Sequence, residues 1–147
     1  ESLIITGIPN SVTQRDLEAT ALRIIYSLGF KNISSYEVTA CHRLIDRRND
    51  KKYPQKTIIR FTNRKAVEYC LRNRKNYHLI KQMTNLNVRF YENLCDKNDF
   101  IYRECKRLKK QKQLTECYIR NGFVKVMIKE GDNPVKINHP DDLYDVF

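Results

Sequence analysis

The sequence KTIIRF (Lys56–Phe61) runs into NRKAVEYCLRNRK (Asn63–Lys75), and these two segments decide the fold. The first is a short β-branched and aromatic run, which predicts a buried central strand. The second predicts a helix, because its apolar residues recur at helical spacing, at Ala66, Val67, Cys70 and Leu71. The same helix carries five cations, Arg64, Lys65, Arg72, Arg74 and Lys75. Basic side chains at this density favour a phosphate-binding surface, and no catalytic motif accompanies them.

Four further elements and a loop surround this pair in residues 1–94. They are a strand at Ser2–Ile8, a helix from Thr13 to Gly29, a strand at Ile33–Leu44, a basic loop at Ile45–Gln55 and a strand at Val88–Tyr91. Thr13 is the predicted N-cap of the helix, with Asp16 three residues later. The order βαββαβ predicts the ferredoxin-like plan, a four-stranded antiparallel sheet with two helices on one face. RNA-recognition motifs use this plan.

A second, smaller unit is predicted at residues 95–147. Its elements are a helix at Asp96–Gln113, strands at Glu116–Arg120, Phe123–Lys129 and Val135–Asn138, and a terminal helix after Pro140. Asn121-Gly122 between the first two strands is a strong hairpin signal. The fold class is therefore α+β, with a small α-β-β-β-α unit behind the first domain.

The charge of the chain is strongly uneven. Lys and Arg total 28 against 17 Asp and Glu, which gives a formal net charge of +11. Residues 42–129 hold 24 basic and eight acidic side chains, whereas residues 1–41 and 130–147 each carry more acids than bases. Such an excess favours a polyanionic partner. That polyanion is either nucleic acid or an acidic membrane surface, and the uneven distribution of the charge favours nucleic acid. No apolar run approaches the ~20 residues of a membrane span, so we expect no membrane partner.

The five cysteines, Cys41, Cys70, Cys95, Cys105 and Cys117, are widely spaced and odd in number, without a CxxC pair. This pattern indicates neither a zinc knuckle nor a disulfide framework, so we expect reduced, mostly buried thiols without metal or cofactor. Cys41 and His42 are strand neighbours and should point to opposite faces. Because neither a signal peptide nor a membrane span is found in the sequence, we expect an intracellular protein, cytoplasmic or nuclear. Because the chain starts at Glu1 and enters a strand at once, we expect a fragment with its oligomerisation region upstream.

Seven motifs stand in order along the chain: ITGIP at Ile5–Pro9, CHRL at Cys41–Leu44, IIRFTNRKAVEYCLRNRK at Ile58–Lys75, VRFYENL at Val88–Leu94, FIYRECKRLKK at Phe100–Lys110, YIRNGFVKVMIKEG at Tyr118–Gly131 and INHPDDL at Ile137–Leu143. In order and spacing they resemble the nucleic-acid-binding first-open-reading-frame (gag-like) proteins of non-LTR retrotransposons, and the related few-polyhedra (FP) proteins of baculoviruses. The resemblance implies a noncanonical RNA-recognition motif and a small C-terminal domain that together clamp single-stranded nucleic acid. It also implies a homo-oligomer formed through an upstream coiled coil.

The sequence departs from standard RNA-recognition motifs where those motifs place aromatic rings for base stacking. Ile4 stands at the ring position of the first strand motif, and Lys56 and Ile58 stand at the two ring positions of the second. Stacking on the sheet is therefore not expected to be the main binding mode. We expect basic side chains to follow the phosphates instead.

The candidate binding residues of the first domain are Arg43, Arg47, Arg48, Lys51, Lys52, Arg60, Arg72 and Lys75. The four loop cations between residues 45 and 55 resemble the mobile basic arm of the family, or they simply solvate the loop. Arg43 and Arg60 are expected as exposed cations on the sheet, with pairing to Glu37 or Asp46 as the alternative. Arg72 and Lys75 are preferred among the helix cations because they fall near the loop side.

The candidates of the second unit are Arg103, Lys106, Arg107, Lys110, Tyr118 and Arg120. The first four form one positive helical stripe opposite Ile101, Cys105 and Leu108, and their mutual repulsion is easier to understand if an anion relieves it. The resemblance places Arg103 near the interdomain cleft of the family. Tyr118 and Arg120 are interpreted as a ring and a cation on opposite strand faces, with Tyr118 either stacking on bases or entering the core.

Three functions remain open. The first is sequence-tolerant binding of single-stranded RNA or DNA, with a chaperone-like role in a retroelement-type ribonucleoprotein. The second is a protein-interaction or virion-assembly module, as in FP-like proteins. The third is a metal-dependent nuclease, but of the acids only Glu92, Asp96 and Asp99 cluster, where helix capping explains them better. We therefore expect a binding protein rather than an enzyme.

Overall fold

The computed structural model of the chain describes residues 1–45 and 53–145. The protein is mixed α+β with two antiparallel sheets, and it divides into two compact units, Glu1–Asn93 and Leu94–Phe147. We call them the first and the second unit. None of the described helices combines the length and the apolar character needed to cross a lipid bilayer.

The first unit contains strands β1 (Ser2–Thr6), β2 (Val38–Arg43), β3 (Thr57–Phe61) and β4 (Arg89–Glu92), and helices α1 (Gln14–Leu28), α2 (Lys65–Arg72) and α3 (Tyr77–Thr84). The strands form one antiparallel sheet in the order β2-β3-β1-β4. The KTIIRF segment is thus confirmed as a central strand, because β3 has a neighbour on each side. Its residues Thr57, Ile59 and Phe61 are buried, whereas Arg60 is exposed.

One face of this sheet packs against the helices. The core joins strand residues such as Leu3, Ile5 and Phe90 to apolar residues of all three helices, including Ile24, Val67 and Ile80. Sixteen described residues form this buried cluster. Because each strand buries alternate residues, the opposite face of the sheet is left with the remaining side chains.

Two boundaries of the first unit differ from the predictions for physical reasons. The first strand ends at Thr6 rather than Ile8, because Gly7 adopts φ 96°, which is not an extended conformation. Only glycine fits at this position, since a Cβ there would lie 2.0 Å from the Asn87 carbonyl oxygen. The second strand begins at Val38 rather than Ile33, because a short 3₁₀ turn precedes it. The Ser34 hydroxyl caps that turn by accepting the Tyr36 N–H.

The predicted single helix at Asn63–Lys75 is wrong in its C-terminal part. The structure ends α2 at Arg72, where the Asn73 side chain donates to the Tyr69 carbonyl, and a separate helix α3 follows a 3₁₀ turn. No element was predicted at the residues of α3. Only one α3 residue, Ile80, is fully buried, so the apolar periodicity there is too short to stand out.

The second unit consists of helix α4 (Asp96–Lys110), strands β5 (Glu116–Arg120), β6 (Phe123–Met127) and β7 (Val135–Ile137), and the short helix α5 (Asp142–Asp145). The strands form an antiparallel sheet in the order β5-β6-β7. The predicted hairpin is confirmed, because Asn121 and Gly122 both adopt positive φ and Arg120 pairs with Phe123. Eight described residues form its buried cluster, among them Ile101, Cys105 and Val124.

Candidate nucleic-acid interface

The face of the first unit's sheet that lies away from its helices is the strongest candidate surface. We call it the open sheet face, and its strand residues are Ser2, Ile4, Thr6, Ala40, His42, Ile58, Arg60, Arg89 and Tyr91. The middle row crosses all four strands, because His42 pairs with Ile58, Ile58 with Ile4, and Ile4 with Tyr91. The row joins an imidazole, two aliphatic side chains and an aromatic ring.

Cations flank this apolar row. Arg60 pairs with Ser2 and Ala40 on one side of the row, and Arg89 pairs with Thr6 on the other. Arg60 is exposed, and its Nε lies 3.4 Å from the Ser2 hydroxyl. Lys56 directly precedes β3, is exposed, and continues the alternation toward the open side.

No carboxylate of the four strands neutralises these cations. Glu92 is the only acidic residue in the strands, and it pairs in register with the buried Leu3. Its side chain binds Arg64 at 2.6 Å, and Arg64 also lies 3.6 Å from Glu68. The acid that the sequence grouped with Asp96 and Asp99 is therefore held by an ion pair next to α2.

Arg43 does not belong to this surface, and its predicted role as an exposed cation is wrong. Its Nη1 donates to the carbonyls of Ile8 and Gln55 at 2.8 and 2.9 Å, and its Nη2 donates to those of Pro9 and Val12. Arg43 pairs with the buried Thr57, so its side chain projects to the helix side. Burial lowers the pKa of the Arg43 guanidinium from its ordinary value. This arginine therefore supports the turn after β1 rather than a ligand.

The other predicted residues of the first unit are dispersed. Arg72 lies in the last turn of α2 and Lys75 in the 3₁₀ turn before α3, both on elements that cover the opposite side of the sheet. They cannot join Arg60 on the open sheet face. Arg47, Arg48, Lys51 and Lys52 lie outside the described residues, as does Asp46. Arg60 is thus the one described candidate of this unit that the open sheet face contains.

The binding residues predicted from the sequence lack three residues of this surface, Lys56, Arg89 and Tyr91. Tyr91 is about half exposed, at 51%. The guanidinium carbon of Arg89 lies 3.6 Å from the ring centre of Tyr77, at the start of α3. The signal was present in VRFYE, where β-strand alternation buries Val88 and Phe90 and exposes Arg89 and Tyr91.

In the second unit, the positive stripe of α4 is partly neutralised by its own helix. Arg103 forms an ion pair with Asp99 at 2.9 Å, and Arg107 forms one with Glu104 at 2.9 Å. The Lys106 ammonium lies 4.6 Å from the Tyr102 ring centre, and Lys110 is exposed. Acids on the same helix therefore relieve much of the repulsion that the sequence analysis assigned to a bound anion.

Tyr118 and Arg120 lie on the same face of β5, so the prediction of opposite faces is wrong. Residues two apart on a strand share a face, and the intervening Ile119 lies between them on the other. Tyr118 pairs with Lys125, which pairs with Lys136, and Arg120 pairs with Phe123. We call this the outer face of the second unit. Tyr118 is not among the residues of the buried core or packed against it.

The cysteines are all free, and three of them, Cys70, Cys105 and Cys117, are buried. Burial raises the pKa of Cys70 and of Cys105 to about 12, and that of Cys41 to about 11. Cys41 packs against the first core while His42 lies on the open sheet face. Within residues 1–45 and 53–145, no three His, Cys, Asp or Glu side chains gather where they could hold a metal ion.

No protein-family model matches this sequence, and no curated protein matches it. The assignment of a function therefore depends on the geometry of the surfaces themselves.

Proposed function

We propose that the chain is a binding module for single-stranded nucleic acid, with its primary contact on the open sheet face of the first unit. The observation that carries this proposal is the surface charge of that sheet. Lys56, Arg60 and Arg89 surround the row from His42 to Tyr91, and no carboxylate of the strands lies on the same side. Phosphates bind such cations whatever the base sequence.

The shape of the surface favours an unpaired strand. Four strands spaced ~4.8 Å apart make a platform ~15 Å wide, which is comparable to a few nucleotides. Ile4 and Ile58 give this platform an apolar centre that unpaired base faces can cover, whereas a duplex presents only phosphates and groove edges. Binding is therefore tolerant of sequence and selective for single strands.

The proposal also includes the fold type of the first unit and the wider role of the chain. The order β2-β3-β1-β4, with helices between β1 and β2 and between β3 and β4, supports a ferredoxin-like domain of the RNA-recognition-motif type. Ile4 and Ile58 then occupy the positions where ordinary members carry rings. The seven motifs support a wider role in a retroelement-type ribonucleoprotein, where such a domain assembles and remodels nucleic acid.

The test is fluorescence-anisotropy titration of a labelled ~30-nucleotide single strand, as RNA and as DNA, against the matching duplexes over a range of salt. The variant is Lys56→Ala/Arg60→Ala. Because each cation that neutralises a phosphate of a single strand contributes about 0.7 to the slope of log affinity against log salt, this variant should reduce that slope by about 1.4. The charge-matched control is Arg74→Ala/Lys81→Ala, which removes exposed cations from the helix side and is expected to leave the slope unchanged.

Three outcomes distinguish the alternatives. A reduced slope in the Lys56→Ala/Arg60→Ala variant alone supports the open sheet face as the phosphate-binding surface. Equal reductions in both variants would indicate non-specific charge attraction. Negligible affinity of the unmodified chain at low salt would overturn the proposal, and a protein-interaction or virion-assembly module would then become the leading function.

A further inference from the structure

The edge of the open sheet face at β4 is built differently from the rest of that face. Arg89 and Tyr91 are two residues apart on the edge strand, so their side chains leave the same face about 7 Å from each other. Arg89 lies over the Tyr77 ring with its guanidinium carbon 3.6 Å from the ring centre. Its Nη1 also donates to the Val88 carbonyl at 3.1 Å. These contacts fix the plane of the guanidinium.

A cation needed only for phosphates has no requirement for such a fixed plane. An exposed Lys or Arg reaches a phosphate as a point charge, and holding a long side chain against a ring costs rotamer entropy. A guanidinium stacked on a tyrosine presents its second flat face outward, and flat cations and rings are the surfaces on which bases stack. Tyr91 supplies a second flat surface beside it, 51% exposed.

We propose that Arg89, supported by the Tyr77 ring of α3, and Tyr91 form a nucleobase-stacking subsite along the edge strand β4, where the Arg89 guanidinium turns from the open sheet face toward the first turn of α3. Its ligand is one or two unpaired bases of a bound single strand, and it rests on the proposed function of that face. The subsite explains how the domain retains base contacts although Ile4 and Ile58 stand where rings are expected. Stacking of this kind does not discriminate strongly among the four bases.

The test compares two labelled single strands of equal length and phosphate number, one with bases throughout and one with a central run of abasic sites. Stacking contributes roughly five- to a hundredfold in affinity per base, so we expect the intact strand to bind more tightly by at least about fivefold. A fluorescent base analogue at the same central positions should also change its emission when the chain binds.

Two variants assign that preference to the subsite. Tyr91→Leu removes the exposed ring, and Arg89→Lys keeps the charge but removes the flat guanidinium. Both are expected to reduce the preference for the intact strand to about twofold or less. The readout is the ratio of the two affinities, because a weaker phosphate contact at Arg89 lowers the affinity for both strands alike and leaves that ratio unchanged. The matched control is Tyr26→Leu, which removes a similarly exposed ring, 44% exposed, from α1 on the helix side. The control is expected to keep the full preference.

The outcomes separate this inference from the proposed function. Equal binding of both strands by the unmodified chain would overturn the subsite and leave phosphate binding by the open sheet face intact. A preference that survives in both variants would also overturn it. Failure of either strand to bind would overturn the subsite and the proposed function together. Circular dichroism of each variant confirms that any change of preference occurs in a folded chain.

Discussion

Within residues 1–45 and 53–145, both units leave one sheet face without a covering helix, but they distribute positive charge over that face in opposite ways. In the first unit, Arg60 and Arg89 flank an aliphatic centre and pair in register with neutral residues. In the second unit, Lys125 lies directly opposite Lys136 in the middle of the sheet. Like charges opposite each other on adjacent strands destabilise a sheet.

The two units also differ in the size of their buried cores. The first unit buries a cluster of sixteen described residues and the second a cluster of eight. A small unit with a small core has a small free energy of unfolding. The second unit therefore carries repulsive charge on the weaker framework, and it has more to gain from a bound polyanion.

The largest effect is expected from removing one core side chain in each unit. Ile101→Ala in α4 and Ile59→Ala in β3 each delete a fully buried isoleucine, at a cost of roughly 2–5 kcal/mol in unfolding free energy. We expect Ile101→Ala to unfold most of the second unit at 37 °C, whereas the first unit remains folded with Ile59→Ala. Hydrogen exchange read separately over residues 1–93 and 94–147 measures both.

The comparison of cores fails if the first unit loses its amide protection in Ile59→Ala as completely as the second does in Ile101→Ala. Ile33→Ala is a control for the substitution itself, because Ile33 is only partly buried at the margin of the first core. Ile33→Ala should lower the free energy of unfolding by only a fraction of the loss that either core substitution causes.

The next effect separates two arginines of the first unit that sequence reasoning treated alike. Arg43→Ala leaves four backbone carbonyls without their donor, and we expect it to destabilise the first unit by about 2 kcal/mol. Arg60→Ala should change stability by less than about 0.5 kcal/mol, because Arg60 is exposed. Urea unfolding measures these values, and salt-dependent nucleic-acid titration of the same variants should give the reverse order for the loss of binding.

Arg43→Lys tests the geometry of the carbonyl cluster. One ammonium cannot donate along the directions of a guanidinium fork, so most of the destabilisation should remain. A fully stable Arg43→Lys variant would mean that the charge at this position matters and the four directed hydrogen bonds do not.

A smaller effect is expected in the rates at which two buried thiols, one in each unit, are alkylated. Burial raises the pKa of Cys70 and Cys105 to about 12, so at pH 8 neither reacts as thiolate until its unit opens. We expect Cys105 in the second unit to be alkylated at least about tenfold faster than Cys70 in the first, which corresponds to ~1.4 kcal/mol in opening free energy. Mass spectrometry of a labelling time course gives both rates.

Exposed Cys95 is the internal reference, and it should react before either buried thiol. Equal rates at Cys70 and Cys105 would remove the difference in stability on which the comparison of the two units depends.

The patterns that predicted the fold correctly are those that depend on local chemistry. Alternation in Lys56–Phe61 identified the central strand, and Asn121-Gly122 identified the hairpin, because both follow from backbone preferences within a few residues. Helix α3 was missed because its burial depends mainly on one residue, Ile80. No local signal distinguishes such a helix from a polar loop.

The candidate site could be predicted only in part, because a sequence shows which side chains are charged but not which groups those side chains contact. The sequence located the positive charge but could not reveal that Arg43 binds four carbonyls, because tertiary packing brings those partners together. The ion pair of Arg103 with Asp99 is different, since the two residues lie four apart on one predicted helix and their pairing was accessible from the sequence. Arg89 and Tyr91 were also accessible from the alternation in Val88–Glu92, but that segment is short and carries one cation, so the longer basic runs dominated the prediction.

The smallest expected effect tests the repulsion between facing lysines directly. Lys125→Thr removes one of the two opposed charges, and we expect it to stabilise the second unit by roughly 0.2–1 kcal/mol at low salt. Arg60→Thr is the matched change in the first unit. It places the same β-favouring residue on an open face, but its neighbours Ser2 and Ala40 are neutral.

Salt separates charge from strand propensity in this pair, since screening acts only on the charge. Urea unfolding at about 20 mM and about 500 mM salt should give a gain for Lys125→Thr that shrinks with salt, and a salt-independent change for Arg60→Thr. Lys136→Thr is expected to gain less than Lys125→Thr, because the Lys136 ammonium also lies 3.6 Å from the Phe123 ring centre and that attraction is removed. Identical salt responses of the three variants would mean that the two open faces differ in composition but not in stored repulsion.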